Sequence, residues 1–177
     1  MVDGVSRETT MGFTALDGLP MGTRPGRLDA GVVLWMLEQG MEHDEIQSVL
    51  YTQSGLKGLS GDQADMRALE ASDDPRAKLA VEYFCYHTAE NLAGLCVALK
   101  GLDTLVFTAG IGEHSPSIRA GIARHLEWMG VEIDPARNQA GETVISTDSS
   151  AVRVLVIPTN EELIIAEQSL ALVRARS

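Results

Sequence analysis

The densest concentration of potential chemistry in this sequence is the run Leu105-Val106-Phe107-Thr108-Ala109-Gly110-Ile111-Gly112-Glu113-His114-Ser115. An apolar β-branched and aromatic stretch stops at small residues, and an acid, a polar pair and a proline follow. A strand that ends in glycines where a helix begins lets a ligand approach the backbone closely. The helix expected from about Ser115 adds unpaired N–H groups and a partial positive charge, which suit a phosphate or a nucleotide. An ordinary βα turn would look the same, because an isolated glycine-rich turn is a weak signal.

The end of the chain repeats this logic. Val152-Arg153-Val154-Leu155-Val156-Ile157 reads as a buried strand, Pro158-Thr159-Asn160 as a turn, and Glu161-Glu162 as the start of a helix. The helix dipole alone favours acids in a first turn. A carboxylate placed there can also hold Mg²⁺ beside a phosphate chain, because magnesium takes few carboxylates, with waters and phosphate oxygens completing its shell. Arg24 lies in Met21-Gly22-Thr23-Arg24-Pro25-Gly26, where a loop presents its guanidinium, and Arg27 is close by. Such a group can stabilise charge developing on a transferring phosphoryl group; a solvated surface arginine is the plainer alternative. Asp65-Met66-Arg67 opens a short helix, and an acid and a base two apart are expected to point to different sides. The histidines, His43, His87, His114 and His125, show no metal-ligand spacing on one face. There is no GxxxxGK[ST] phosphate loop and no defensible Ser/His/Asp arrangement.

These groups belong to a 177-residue chain, long enough for one domain with a real core. Hydrophobic residues make up 45%, charged residues 22% and aromatic residues 5%, a globular profile. The net charge of −11 argues against nucleic acid and against an anionic membrane surface as partners. An acidic protein that binds an anion must concentrate its few cations locally or supply a metal. Cys85 and Cys96 fall in one expected helix, roughly 16 Å apart along its axis and too far for a disulfide. Reduced thiols, the absence of a transmembrane-length run and an N-terminus without a signal-peptide core lead to the expectation of a soluble cytoplasmic protein.

The elements that must position the groups alternate between helix and strand, which argues α/β. Residues 1–26 look irregular, with glycines and prolines throughout. Helices are expected at Leu28–Gln39, at Asp44–Tyr51 with Asp44 as cap, and at Asp62–Ala71, with Ser54–Gly61 between them as a loop. Pro75–Leu99 is the longest expected helix, and Ala80, Phe84, Thr88, Leu92, Leu95 and Leu99 form its core-facing stripe. A strand at Thr104–Thr108, a helix at Ser115–Met129, strands at Val131–Ile133 and Val152–Ile157, and a last helix to about Arg174 complete the pattern.

Taken together and in order, four segments resemble the acetate kinases, in the superfamily that also holds sugar kinases and actin. They are Thr9-Thr10-Met11-Gly12-Phe13-Thr14-Ala15-Leu16-Asp17-Gly18-Leu19 running into Met21-Gly22-Thr23-Arg24; Ser54-Gly55-Leu56-Lys57-Gly58-Leu59-Ser60-Gly61 with Asp65-Met66-Arg67; Val106-Phe107-Thr108-Ala109-Gly110-Ile111-Gly112-Glu113; and Val156-Ile157-Pro158-Thr159-Asn160-Glu161-Glu162-Leu163. The resemblance implies phosphoryl transfer between ATP and acetate, giving acetyl phosphate and ADP. It implies that Arg24 is catalytic and stabilises the transferring phosphoryl group. It implies that Asp65, Met66, Arg67, Gly110, Ile111, Gly112, Glu113 and His114 bind ATP, and that Glu161 contributes to a Mg²⁺ (or Mn²⁺) site. The implied fold is a ribonuclease H-like, actin-like ATPase domain: a mixed sheet flanked by helices, here helix-rich and incomplete at its N-terminus.

Pro25, Arg27 and His114 depart from the family's usual residues. Family members are also roughly twice as long. The resemblance therefore covers a C-terminal nucleotide-binding and homodimer-forming lobe, with the N-terminal lobe and its catalytic aspartate, substrate arginine, histidine and metal-site asparagine absent. A propionate or butyrate kinase portion is the alternative within the enzyme class. A non-catalytic nucleotide-binding or oligomerisation module is the alternative outside it.

Overall fold

The computed structural model describes residues 1–175, the side chains of Glu161, Ile164 and Ala175 excepted. Among them, the elements follow the order α1 (Ala30–Glu38), α2 (His43–Ser48), α3 (Gly55–Ser60), α4 (Met66–Glu70), α5 (Pro75–Leu99), β1 (Thr104–Phe107), α6 (Ala109–His114), α7 (Pro116–Arg124), α8 (Pro135–Ala140), β2 (Arg153–Val156) and α9 (Glu161–Ala175). A π-helical turn, Val49–Gln53, continues α2, and a 3-10 turn, Glu127–Met129, follows α7.

Local chemistry explains most helix starts. Asp65, Asp74 and Asp134 each accept a backbone N–H of the following turn, and Pro75, Pro116 and Pro135 stand in first turns, where a missing N–H costs nothing. Helix α5 spans 25 residues and stops where Lys100 turns left-handed at φ 61°. It is the spine of the molecule, with α3, α4 and α7 packed against it.

β1 and β2 pair in parallel, with Leu105 opposite Val154 and Phe107 opposite Val156. Leu105, Phe107, Val154 and Val156 point into the core, while Thr104, Val106 and Arg153 point out. The other edge of β2 carries an antiparallel bridge, Val144 to Leu155, so strand directions around β2 are mixed. The protein is thus α/β and rich in helix, with a small sheet. The core gathers Leu56, Met66, Leu69, Ile118, Ile122, Leu126, Val131, Ile145, Val152 and Val154 around these strands and α5. Residues 1–29 hold no regular element beyond the Val2–Val5 bridge.

Several expectations are corrected. Ser54–Gly61 is not a loop: Gly55–Ser60 is helix α3, because its first amides find acceptors in a distant loop. Val131–Ile133 makes only an isolated bridge from Ile133 to Ser146, and the polar stretch after it contains α8. The expected helix Ser115–Met129 ends at Arg124. The buried side chains of α5 are Ala77, Ala80, Cys85 and Ala89. Of the expected stripe only Ala80 is fully buried, because the closely packed neighbours select small residues. A Cβ on Gly121 of α7 would lie 2.8 Å from the Cys85 sulfur.

Both cysteines are free, and Cys85 is 2% exposed. Burial, with Glu82 nearby, pushes its thiol up to about 11. At pH 8 only about 0.1% is then thiolate. Ellman's reagent is expected to label Cys96 in the native chain, and Cys85 only on denaturation; rapid labelling of both at pH 8 would contradict the packing of α5 on α7. Because the folded state holds the Cys85 proton more tightly than the unfolded chain, stability falls as pH rises from 9 through 11. Among the described residues no helix is long and apolar enough to cross a membrane.

Candidate functional site

The Met21–Arg24 loop hangs on the first turn of α3. Leu56 and Lys57 donate their amides to the Met21 and Gly22 carbonyls at 3.0 and 2.9 Å, and Ser54 N donates to Thr23 O at 3.0 Å. The Thr23 hydroxyl donates to Tyr51 O at 2.8 Å, on the π-helical turn. The Arg24 guanidinium sits 5.7 Å above the Tyr51 ring and 3.8 Å from the Met21 sulfur. Its charge thus meets a ring face rather than a carboxylate. Close approach here requires Gly55, whose φ is +62° and whose Cβ, if present, would strike the Met21 carbonyl and stand 2.5 Å from Arg24 O. Gly55→Ala is expected to cost at least about 2 kcal/mol and to displace the Arg24 loop. Urea titration measures the first effect, and an unchanged midpoint would contradict this contact.

Asp65 stands just outside α4, where its Oδ1 accepts Arg67 N at 2.8 Å, and Oδ2 pairs with Arg67 Nη2 at 3.0 Å. The two do pair, against expectation, because Asp65 is a cap and not a helical residue. The Arg67 side-chain hydrogen bond, then its amide, holds the Asp65 carboxyl below the usual carboxylate range. Asp65, Met66, Arg67 and Glu70 share a cavity of about 440 Å³ with Gly110, Ile111, His114 and Ser115. Glu70 closes one side, its Oε1 accepting from Ser115 Oγ at 2.7 Å and from the Ser117 hydroxyl. His114 Nδ1 lies 2.9 Å from Gly110 O.

The glycine turn is a single short helix, α6. Its left-handed residue is not a glycine but Ala109, at φ 58°. Gly112 backs onto Phe107, whereas a Cβ on Gly110 would meet no atom within 4 Å, so this face of the turn is open.

Glu113 ties the two strand ends together. Its Oε1 accepts Ala109 N at 2.6 Å, Thr159 N at 2.8 Å and Thr159 Oγ1 at 2.7 Å. The Thr159 hydroxyl and amide, and then the Ala109 amide, hold this carboxyl below its ordinary pKa. Asn160 caps α9, its Oδ1 accepting Leu163 N at 3.0 Å. Glu161 opens that helix, and its side chain lies outside the described residues.

Beneath the turn lies Arg119, which the sequence reading did not single out. It is 1% exposed and donates to Gly112 O and Glu113 O, both at 2.9 Å, and to Asn138 Oδ1 and O at 2.7 and 2.8 Å. The only sequence signal was its place between Ile118 and Ile122 on the buried stripe of α7. Burial lowers its pKa, yet a guanidinium remains charged at neutral pH.

The four motif-bearing segments are thus contiguous. A Cβ on Gly22 would lie 3.2 Å from Ala64 O, which places the Arg24 loop beside the entrance to α4. Thr10 and Leu19 line one cavity with Thr108–Gly112. Asp65–Arg67 and the glycine turn share another, and Glu113 joins that turn to Thr159.

The family model of the acetokinase family matches residues 1–167. The chain belongs to the acetokinase family. It is 57% identical over 175 residues to an acetate kinase from Nitrobacter hamburgensis, covering 98% of this chain and 43% of that protein. A solved propionate kinase from Francisella tularensis is 42% identical with a TM-score of 0.84, covering 89% of this chain and 41% of the other. The acetate kinase of Porphyromonas gingivalis is 33% identical with a TM-score of 0.86, over 93% and 43% of the two chains. The chain therefore spans less than half the length of the acetokinases it matches, and its α/β fold is the actin-like ATPase fold in part.

Proposed function

We propose that this chain is the nucleotide-binding, C-terminal portion of a kinase that transfers a phosphoryl group between ATP and acetate, giving acetyl phosphate and ADP. The observation that carries the reading is the cavity shared by Asp65, Met66, Arg67, Gly110, Ile111 and His114, beside the open face of Gly110. In this reading Asp65, Met66 and Arg67 hold the adenosine, and Gly110, Ile111, Gly112, Glu113 and His114 form the nucleotide cradle. Arg24, presented over the Tyr51 ring and given no carboxylate partner among the described residues, steadies charge on the transferring phosphoryl group.

A divalent cation, Mg²⁺ or Mn²⁺, supplies charge neutralisation at the phosphates when bound. Among the described residues no cluster of three His, Cys, Asp or Glu could hold a metal alone. In this reading the cation is held mostly by phosphate oxygens and water, with Glu161 as a protein ligand. The cytoplasm, where ATP and acetate meet, is the proposed compartment.

A propionate kinase is the second reading, resting on the 42% identity to the Francisella protein, against 57% to the acetate kinase of Nitrobacter hamburgensis. A homodimer is supported by α1, an apolar helix that leaves Leu34, Trp35 and Leu37 more than half exposed. The 177-residue chain alone is proposed to be inactive, because its match spans about 43% of an acetokinase and the remaining groups of the active site belong to the N-terminal lobe. ATP-dependent hydroxamate formation by the pure chain would overturn that point.

Calorimetric titration with Mg·ADP tests the binding reading. Saturable binding that weakens on Arg67→Ala supports it, since Arg67 is largely exposed and its removal spares the core. A folded chain that takes up no Mg·ADP would overturn it for the chain alone.

A further inference from the structure

We propose that Glu113 is a positioning residue, whose carboxylate holds the turn after β1 in register with the turn after β2 and so sets where Asn160 and Glu161 stand relative to Gly110–Gly112. The consequence for nucleotide rests on the function proposed above; the register itself does not.

One oxygen atom carries the argument. Glu113 Oε1 receives two backbone amides and one hydroxyl, from residues 4 and 46 positions away. Thr159 Oγ1 also lies 2.9 Å from both Ala109 N and Thr108 Oγ1, so four residues meet at one junction. The junction caps neighbouring parallel strands, where Ile157 N donates to Phe107 O at 2.9 Å. Ligands of open α/β sheets bind beyond these carboxyl ends. Ala109, held left-handed without being glycine, spends its N–H on this carboxylate. A carboxylate engaged by three donors is oriented toward protein, which makes it a poor partner for a phosphate of like charge. The junction lies outside the buried core, so its loss changes local geometry more than global stability.

The test compares Glu113→Ala, Thr159→Val, the double variant and Thr159→Ser. Amide hydrogen exchange at Ala109 and Thr159, read by NMR, decides the register without any ligand. Exchange at Ala109 is expected to speed about tenfold in both Glu113→Ala and Thr159→Val. It should return to the wild-type rate in Thr159→Ser, which keeps the hydroxyl. Unchanged exchange at Ala109 in Thr159→Val would overturn the proposal.

Mg·ADP affinity is the second readout. Both single variants should weaken it about tenfold, as loss of a supporting hydrogen bond typically does, and the double variant should be no worse than either. Direct contact between Glu113 and nucleotide would instead leave Thr159→Val harmless, which also overturns the proposal. A wild-type chain that binds no Mg·ADP counts against the proposed function only, and the exchange data then judge Glu113 by themselves.

Discussion

Arg24→Ala, in a polypeptide joining this chain to the remainder of an acetokinase, is expected to lower kcat by about 10³-fold or more while changing the Kd for Mg·ADP less than about threefold. The asymmetry follows from where the guanidinium sits. Its loop is fixed by three backbone hydrogen bonds to Ser54, Leu56 and Lys57, and among the described residues its charge rests on Tyr51 and not on an acid. A cation held ready in this way interacts most strongly with charge that appears during transfer, which is the condition for lowering a barrier instead of tightening a complex. Arg24→Lys restores charge but not the planar fork, so it should recover only a small part of the loss. Equal losses in kcat and nucleotide affinity would show that Arg24 binds ground-state phosphate.

Arg119→Leu is expected to remove about 3–5 kcal/mol, a large share of the stability of an ordinary domain. Leucine fills much of the volume, so the cost is chiefly polar. Gly112 O, Glu113 O and both Asn138 oxygens lose the guanidinium that satisfies them, the two Asn138 contacts being fully buried. Asn138 also donates to Pro116 O at 2.8 Å, so α6, α7 and α8 loosen together. Arg119→Lys keeps a charge but cannot span the four acceptors, and it should fall between wild type and leucine. Urea unfolding followed by circular dichroism measures the series. A loss of less than about 1 kcal/mol for Arg119→Leu would mean that solvent replaces the guanidinium. The two predictions are independent, since the role proposed for Arg24 is in the chemistry, whereas Arg119 holds the glycine turn from beneath.

What could be read from the sequence is what neighbouring residues settle between themselves. Asp74-Pro75 starts α5, and Lys100-Gly101 ends it, through capping and left-handed backbone that involve only adjacent groups. β1 and β2 announced themselves as apolar runs stopped by turns, and the four kinase-like segments could be recognised because each is contiguous. Tertiary structure decided everything that depends on a partner far along the chain. Ser54–Gly61 carries two internal glycines and read as a loop, yet the carbonyls of Met21 and Gly22 accept its amides and make Gly55–Ser60 helical. Glu113 is legible in its own segment only as part of the glycine turn; its tie to Thr159, 46 residues on, exists only in the folded chain. Arg119 is marked in sequence only by its place beside Ile118 and Ile122, whereas the fold buries it, because carbonyls from α6 and α8 converge where only a multi-donor cation satisfies them all. Caps and periodicities are short-range and survive in sequence; hydrogen-bond partners brought together by chain reversal are long-range, and only the folded molecule supplies them.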